Sequence, residues 1–318
     1  MKIVVTGPGA MGCLLAATLT LKGQGTTTAL PEQPVWLQDH SQARARQLND
    51  NGLILEENGG RLHCPVRAFV DPSEIGQADL VLLCVKSGNF QNGLTQALAL
   101  TAADSLIVTL QNGIAHLERI NQQPVDNTPI AVGVTAQGAT LVATGHVRHA
   151  GHGLTRLGFP SRQSAEAIAR LQTVAALLSG AGIETEVVDN ILDHVWAKLL
   201  VNVGINALTA IHACPNGRLL EIPEVRVMLG AAVREAAAVA RALGIALPDE
   251  PVARTEEVCR ATARNISSML QDVIKKRCTE IDAINGAVAT AGKRLGMALP
   301  VNEALVARIK EIEQGYLL

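Results

Sequence analysis

The chain opens with "MKIVVTGPGAMGCLLAATLTLKG", and three glycines in this stretch restrict the fold more than any other feature of its 318 residues. Gly7, Gly9 and Gly12 form a GxGxxG pattern directly after an apolar, strand-like run and at the opening of an Ala- and Leu-rich helical one. In such a turn Gly7 makes the tight bend, Gly9 lets backbone approach a pyrophosphate, and Gly12 lets helix and strand pack closely. An anion held there meets the unpaired N–H groups and the positive dipole end of the helix. Gly7, Pro8, Gly9, Ala10, Met11 and Gly12 are therefore the first candidate cofactor-binding residues. Glycine turns of this kind also occur without a ligand, but the position between strand and helix favours a dinucleotide.

The pattern continues. Short runs rich in Val, Ile and Leu ("PVWLQD", "ADLVLLCV", "SLIVTL", "TPIAVGVTA") alternate with helical stretches, as βαβ units around a parallel sheet require. From about residue 189 strand runs give way to long Ala-, Leu-, Val- and Glu-rich segments with apolar residues at helical spacing. A chain of 318 residues also exceeds the usual span of one hydrophobic core. The reading is two domains, 1–188 with the sheet and 189–318 all helical, meeting near "IETEVVDNILDH". No internal repeat or low-complexity tract interrupts them.

Composition narrows the function classes. A net charge of −2 gives no electrostatic reason to expect nucleic acid, and 2% aromatic residues leave little for base stacking. The opening lacks the basic and long apolar regions of a signal peptide, and no later stretch reads as long and apolar enough to span a bilayer, so a cytoplasmic address without a membrane is expected. Six cysteines (Cys13, Cys64, Cys84, Cys214, Cys259, Cys278) are scattered without a CxxC pair and read as reduced and mostly structural.

The residue that sorts NAD from NADP lies at the end of the second strand, about 20 residues past the glycines. That distance falls on "TTTALPEQPV", which reads as an insertion, so the strand is placed at "PVWLQDH", ending at Asp39 and His40 with Arg44 one turn further. Asp39 argues for NAD, His40 and Arg44 could pair with a phosphate, and Asp39 could also merely cap the helix beginning near Ser41. Lys86 in "LLCVKSGN" and Asn112 in "IVTLQNGI" follow later strands, where ligands of open parallel sheets bind, although polar residues also follow strands simply because loops are solvated.

In "WAKLLVNVGINALTAIHACPNG" an apolar helix points Lys198, Asn202 and Asn206 the same way, with a drift of about 40° per step at 3.6 residues per turn. A cation with movable donors can meet the charge that develops on a carbonyl oxygen during reduction, provided burial lowers the lysine pKa. The bland alternative is a snorkelling lysine beside structural amides.

Taken together, "GPGAMG", "CVKS", "QNGI", "VRHAGHGLTRLG", the Lys198 helix and "NISSMLQDVIKKRCTEIDAING" resemble the ketopantoate reductase family over residues 1 to about 310. The resemblance implies a Rossmann-type domain followed by a helical domain, substrate held between them, and reduction of 2-dehydropantoate to pantoate by NADPH, with NADH open because of Asp39. It implies Lys198 as general acid, Asn112 near nicotinamide and substrate, and Asn202 and Asn206 beside the reacting oxygen. Ser268, Asp272 and Glu280 fall on the substrate side, where Glu280 would accept from a substrate hydroxyl and Ser268 would donate to its carboxylate. On an unbroken helix Glu280 would sit about 120° from Ser268, so a shared site requires a bend. A reductase of another branched 2-keto acid and a dinucleotide-binding regulator without catalysis are the alternatives, and a homodimer is left open. His146, His149 and His152 form HxxHxxH, but a spacing of three alternates the faces of a strand and the intervening glycines imply turns, so no metal is expected.

Overall fold

A computed structural model describes residues 1–23, 35–123 and 128–317. The Thr- and Pro-rich insertion expected before the second strand lies outside them, apart from Val35. The chain divides into two units, one of 1–111 with 120–191, the other of 112–119 with 192–318.

In the first unit β1 (Ile3–Thr6) leads into α1 (Ala10–Gly23), followed by β2 (Trp36–Gln38), α2 (Gln42–Asn51), β3 (Leu53–Glu57), β4 (Gly60–Cys64) and β5 (Arg67–Phe69). Next come β6 (Leu80–Leu83), α3 (Phe90–Ala99), β7 (Leu106–Thr109), α4 (Ala115–Asn121), β8 (Ile130–Thr135), β9 (Gly138–Ala143), β10 (His146–Gly151), β11 (Thr155–Gly158), α5 (Ala165–Gly180) and β12 (Thr185–Val187). Among the described residues an eight-stranded sheet runs β12-β11-β8-β7-β6-β1-β2-β5, parallel throughout except where β11 meets β8. Its inner strands β1, β6 and β7 are buried at every position, which is why they read as unbroken apolar runs.

A second, four-stranded sheet, β4-β3-β10-β9, is absent from the sequence reading. It combines antiparallel hairpins with one parallel pairing of β3 and β10, and α1 packs on it. Its strands mix buried with exposed or half-buried positions, and β4 is exposed at four of five, so no long apolar run announces it.

The second unit holds α6 (Ile191–His212), α7 (Pro223–Ala242), α8 (Pro251–Ala261), α9 (Ser268–Ile274), α10 (Asn285–Arg294) and α11 (Pro300–Leu317) around a core of Leu, Val, Ile and Ala. One expectation is corrected here. At 22 residues, α6 is long and apolar enough to cross a bilayer by length and composition. Its Leu199, Val203, Ala207 and Leu208 are buried in the unit's core, so its apolar character is that of a central helix.

The units exchange a segment that the single sequence boundary at 188/189 does not contain. Residues 112–119 join the helical unit: Ile114 N–H donates to the Ala283 carbonyl at 3.1 Å, and Gly113 adopts φ +79°. A Cβ at Gly113 would stand 2.0 Å from the Ala283 oxygen, so backbone lies against backbone. Gly113→Ala is accordingly expected to destabilise the protein by on the order of 1–3 kcal/mol or more, measured by chemical denaturation against a Gly59→Ala control at another positive φ, where a Cβ meets nothing within 4 Å.

Candidate active site

The glycine turn is built as its spacing predicts. Gly7 has φ +95°, and a Cβ there would lie 2.9 Å from the backbone nitrogen of Val85, the residue before Lys86. A Cβ on Gly12 would stand 2.1 Å from the Gly7 oxygen, so only glycine lets α1 start this close to β1. Gly9 differs: among the described residues, chain neighbours aside, no atom lies within 4 Å of its would-be Cβ. No acidic residue sits in the first turn of α1 to compete for its N–H groups. These residues fit a dinucleotide. Because β1 and β6 are parallel neighbours, Lys86 leaves the adjacent strand end and stands exposed.

Asp39 follows β2 and its side chain is fully buried. The Arg44 guanidinium donates to both carboxylate oxygens, and the backbone N–H groups of His40 and Ser41 donate at 2.6 and 3.0 Å. Burial works to raise this carboxyl's pKa, yet the Arg44 bond and the two backbone donors outweigh it and hold Asp39 below the usual range. The helix cap is Ser41, not Asp39: its hydroxyl accepts from Arg44 N–H at 3.3 Å. Asp39 is thus a neutralised anchor with a partly exposed guanidinium beside it, rather than a bare carboxylate waiting for ribose hydroxyls. Gln111, which sequence reasoning missed, donates from its buried amide to the Leu83 and Val85 carbonyls and fixes the loop that carries Lys86.

In the helical unit Lys198 is half-buried on α6. Removal from water drives its pKa below the ordinary lysine value, and the negative charge of Glu280 opposes that shift. Glu280 also accepts from the Asn112 amide at 3.0 Å, so one carboxylate joins residues from 112, 198 and 280. Asn206 is buried two turns beyond Lys198, and Asn202 is half-buried between them. Among the described residues neither side-chain amide has a hydrogen-bond partner.

The bend required of the last motif is present. Helix α9 stops at Ile274, Lys276 takes φ +50°, and Glu280 precedes a separate 3₁₀ turn over Ile281–Ala283. Ser268 stands exposed at the first position of α9, with Asp272 half-buried one turn later. Their neighbour Ser267 is the buried one: it caps α9 and accepts from Thr209 on α6 at 2.7 Å, tying α9 to the helix of Lys198.

Of the three candidate histidines, His146 binds Glu56 while His149 and His152 both approach Glu57.

Two family models match, both described as ketopantoate reductase PanE/ApbA: one over residues 3–162, the other, for the C-terminal part, over 190–313. The chain is 35% identical to a 2-dehydropantoate 2-reductase of Halobacterium salinarum over 98% of both sequences, and 33% identical to one of Vibrio cholerae over 99% of both. Among solved structures it is similar to a PanE/ApbA family ketopantoate reductase from Ralstonia eutropha (TM-score 0.87, 30% identity, full coverage of both chains). It is similar also to D-mandelate dehydrogenase in a ternary complex with NADH and anilino(oxo)acetate (TM-score 0.89, 28% identity, full coverage of both).

The electrostatics give a direct expectation. Glu280→Gln removes the charge that favours the Lys198 ammonium, so the Lys198 titration should move to still lower pH, followed by NMR of ¹³C-labelled lysine. An unmoved titration would separate the two groups.

Proposed function

The chain belongs to the ketopantoate reductase family, and from that premise we propose that it reduces 2-dehydropantoate to pantoate with NADPH. That it is an NAD(P)H-dependent oxidoreductase follows from the family itself. One observation carries the finer reading: a desolvated lysine faces a carboxylate that a second side chain, Asn112, already binds.

A nicotinamide cofactor, when bound, would supply the hydride that reduces the keto carbon. Negative charge then develops on the carbonyl oxygen, and Lys198 donates its proton there, so the alkoxide becomes the product hydroxyl. The unpartnered amides of Asn202 and Asn206 hold the reacting oxygen and the substrate carboxylate in place, with Ser268 as a further donor to that carboxylate and Asp272 at its side. Glu280 accepts from the substrate's hydroxyl while the Asn112 amide keeps it oriented. Gly7 to Gly12 would hold the pyrophosphate, with Lys86 on the adjacent strand end. Arg44, with Asp39 neutralised beneath it and His40 alongside, would donate to the 2′-phosphate of NADPH.

A second reading, reduction of a different 2-keto acid, draws on the likeness to D-mandelate dehydrogenase, whose complex contains NADH. Steady-state rates with 2-dehydropantoate and with an aromatic 2-keto acid lacking the hydroxyl separate the two: a higher kcat/KM on the aromatic acid would overturn the proposal. A regulator without catalysis would have no use for a lysine held out of water beside a carboxylate.

Lys198→Ala should lower kcat by a factor on the order of 10² or more while the dissociation constant for NADPH changes little. Because the acid must be an ammonium, parent turnover falls as pH rises through the Lys198 pKa. Desolvation sets that fall below the pH at which an exposed lysine titrates. A folded variant with parent-like turnover removes the lysine from the chemistry.

Arg44→Ala should raise the KM for NADPH by about tenfold or more, the value of a charge-assisted hydrogen bond, and leave the KM for NADH much less affected. Equal effects on both cofactors would place the 2′-phosphate elsewhere.

A further inference from the structure

In the smaller sheet of the first unit, β3 and β10 run parallel with Ile54, Leu55 and Glu56 opposite His146, Val147 and Arg148. One step further, the same register sets Glu57 against His149, whose Nδ1 lies 2.7 Å from the Glu57 carboxylate oxygen Oε1. His152, just after β10, brings its Nε2 to 3.7 Å from that same oxygen, and the two imidazole rings stand 4.0 Å apart between centroids. One donor atom from each of the three residues falls within 4.8 Å of the others.

The hydrogen bonds around His149 specify its chemistry. The Gln137 amide donates to the Gly153 carbonyl, which can only accept, so Gln137 must turn its oxygen toward His149. The Nε2 of His149, 2.8 Å from that oxygen, is therefore the N–H of the ring. The ring's Nδ1 meets the Glu57 carboxylate, and a cation, a proton or a metal ion, belongs between the two. Only a metal ion would draw both imidazoles and the carboxylate into one set of ligands.

We propose that Glu57, His149 and His152 form a zinc site, with Gln137 orienting His149 from behind. Two imidazole nitrogens and one carboxylate oxygen suit Zn²⁺ far better than the hard, oxygen-seeking Mg²⁺ or Ca²⁺. Ligand atoms about 2.0–2.1 Å from a tetrahedral zinc stand roughly 3.3–3.5 Å from one another. The Glu57 to His152 separation is already close to that, His149 has to open from 2.7 Å by about 0.6–0.8 Å, and the two imidazole nitrogens lie within 4.8 Å of each other. A ligating histidine whose other ring N–H is held by a carbonyl oxygen is the usual supporting arrangement. The side chain of His149 is buried and that of His152 is 60% exposed, which gives the ion a fixed anchor and an entry from solvent. A cavity of about 160 Å³ bordered by Glu57, His149, His152, Thr18 and Gly182 has room for a water as fourth ligand. The ion would clamp the end of β3 to β10 beneath α1, the helix that begins at the glycine turn.

The test uses the full-length, untagged protein, stripped with a chelator and equilibrated with Zn²⁺ by dialysis, with bound metal counted by mass spectrometry. The parent is expected to take up a single tightly held Zn²⁺ per chain, and Co²⁺ in its place should give the visible absorption of a tetrahedral site. His152→Ala, at an exposed position that leaves the fold intact by circular dichroism, should lose that ion, as should Glu57→Gln. His146→Ala, whose imidazole binds Glu56 instead, should keep it. Gln137→Leu should weaken the affinity about 10–100-fold, as loss of an orienting partner does. No stoichiometric uptake by the parent, or the same uptake by folded His152→Ala, overturns the site and leaves a hydrogen-bonded His149–Glu57 pair. Metal counting is independent of turnover, so the result stands apart from the proposed reductase activity.

Discussion

In the helical unit a single carboxylate, Glu280, meets a lysine carried by an otherwise apolar helix. Helix α6 supplies much of the unit's core through Trp196, Leu199, Leu200, Val203 and Leu208, yet carries Lys198 among them. A lysine held out of water loses much of its preference for the charged form, and what restores part of it is the carboxylate of Glu280. Glu280 reaches that position because α9 ends at Ile274 and the chain turns through Lys276 before the 3₁₀ turn at Ile281. Asn112 reaches Glu280 because 112–119 leave the sheet-containing unit and lie against Ala283, where only glycine fits at 113. The broken helix, the 112–119 segment and the close backbone approach meet at one carboxylate near one lysine.

The sheet-containing unit solves an electrostatic problem of its own at Asp39. A buried carboxylate at the end of β2 is costly unless its lone pairs are used, and here two guanidinium N–H groups and two backbone N–H groups use them. Asp39 is fully buried against the partly exposed Arg44 guanidinium, with the more exposed His40 imidazole alongside. Reading this strand end from its acid alone leaves out what the tertiary structure adds, the Arg44 guanidinium already bound to that carboxylate.

The histidines show the same limit from another side. The spacing of His146, His149 and His152 separates faces of a strand, and the structure does send His146 to Glu56 and His149 to Glu57. What spacing does not contain is Glu57 itself, 92 residues before His149, or the turn after β10 that returns His152 to the same carboxylate. Those partners are delivered by a parallel pairing of β3 with β10, strands about 90 residues apart in the chain, and no local pattern records which strand pairs with which.

By itself the sequence determined the local features: the glycine turn, the buried strands read from unbroken apolar runs, the change to helix near residue 189, and a helix face carrying Lys198, Asn202 and Asn206. These are legible because turn geometry, strand burial and helical period act over a few neighbouring residues. Tertiary structure alone decided which charges meet: Arg44 with Asp39, Glu280 with Lys198 and Asn112, Glu57 with His149 and His152. It also decided that 112–119 belong with the helices and that α6 is a core helix instead of a bilayer span. The physical reason is that a pKa, a hydrogen-bond partner or a metal ligand depends on groups brought within a few ångströms by pairings across the chain, and no local pattern records those.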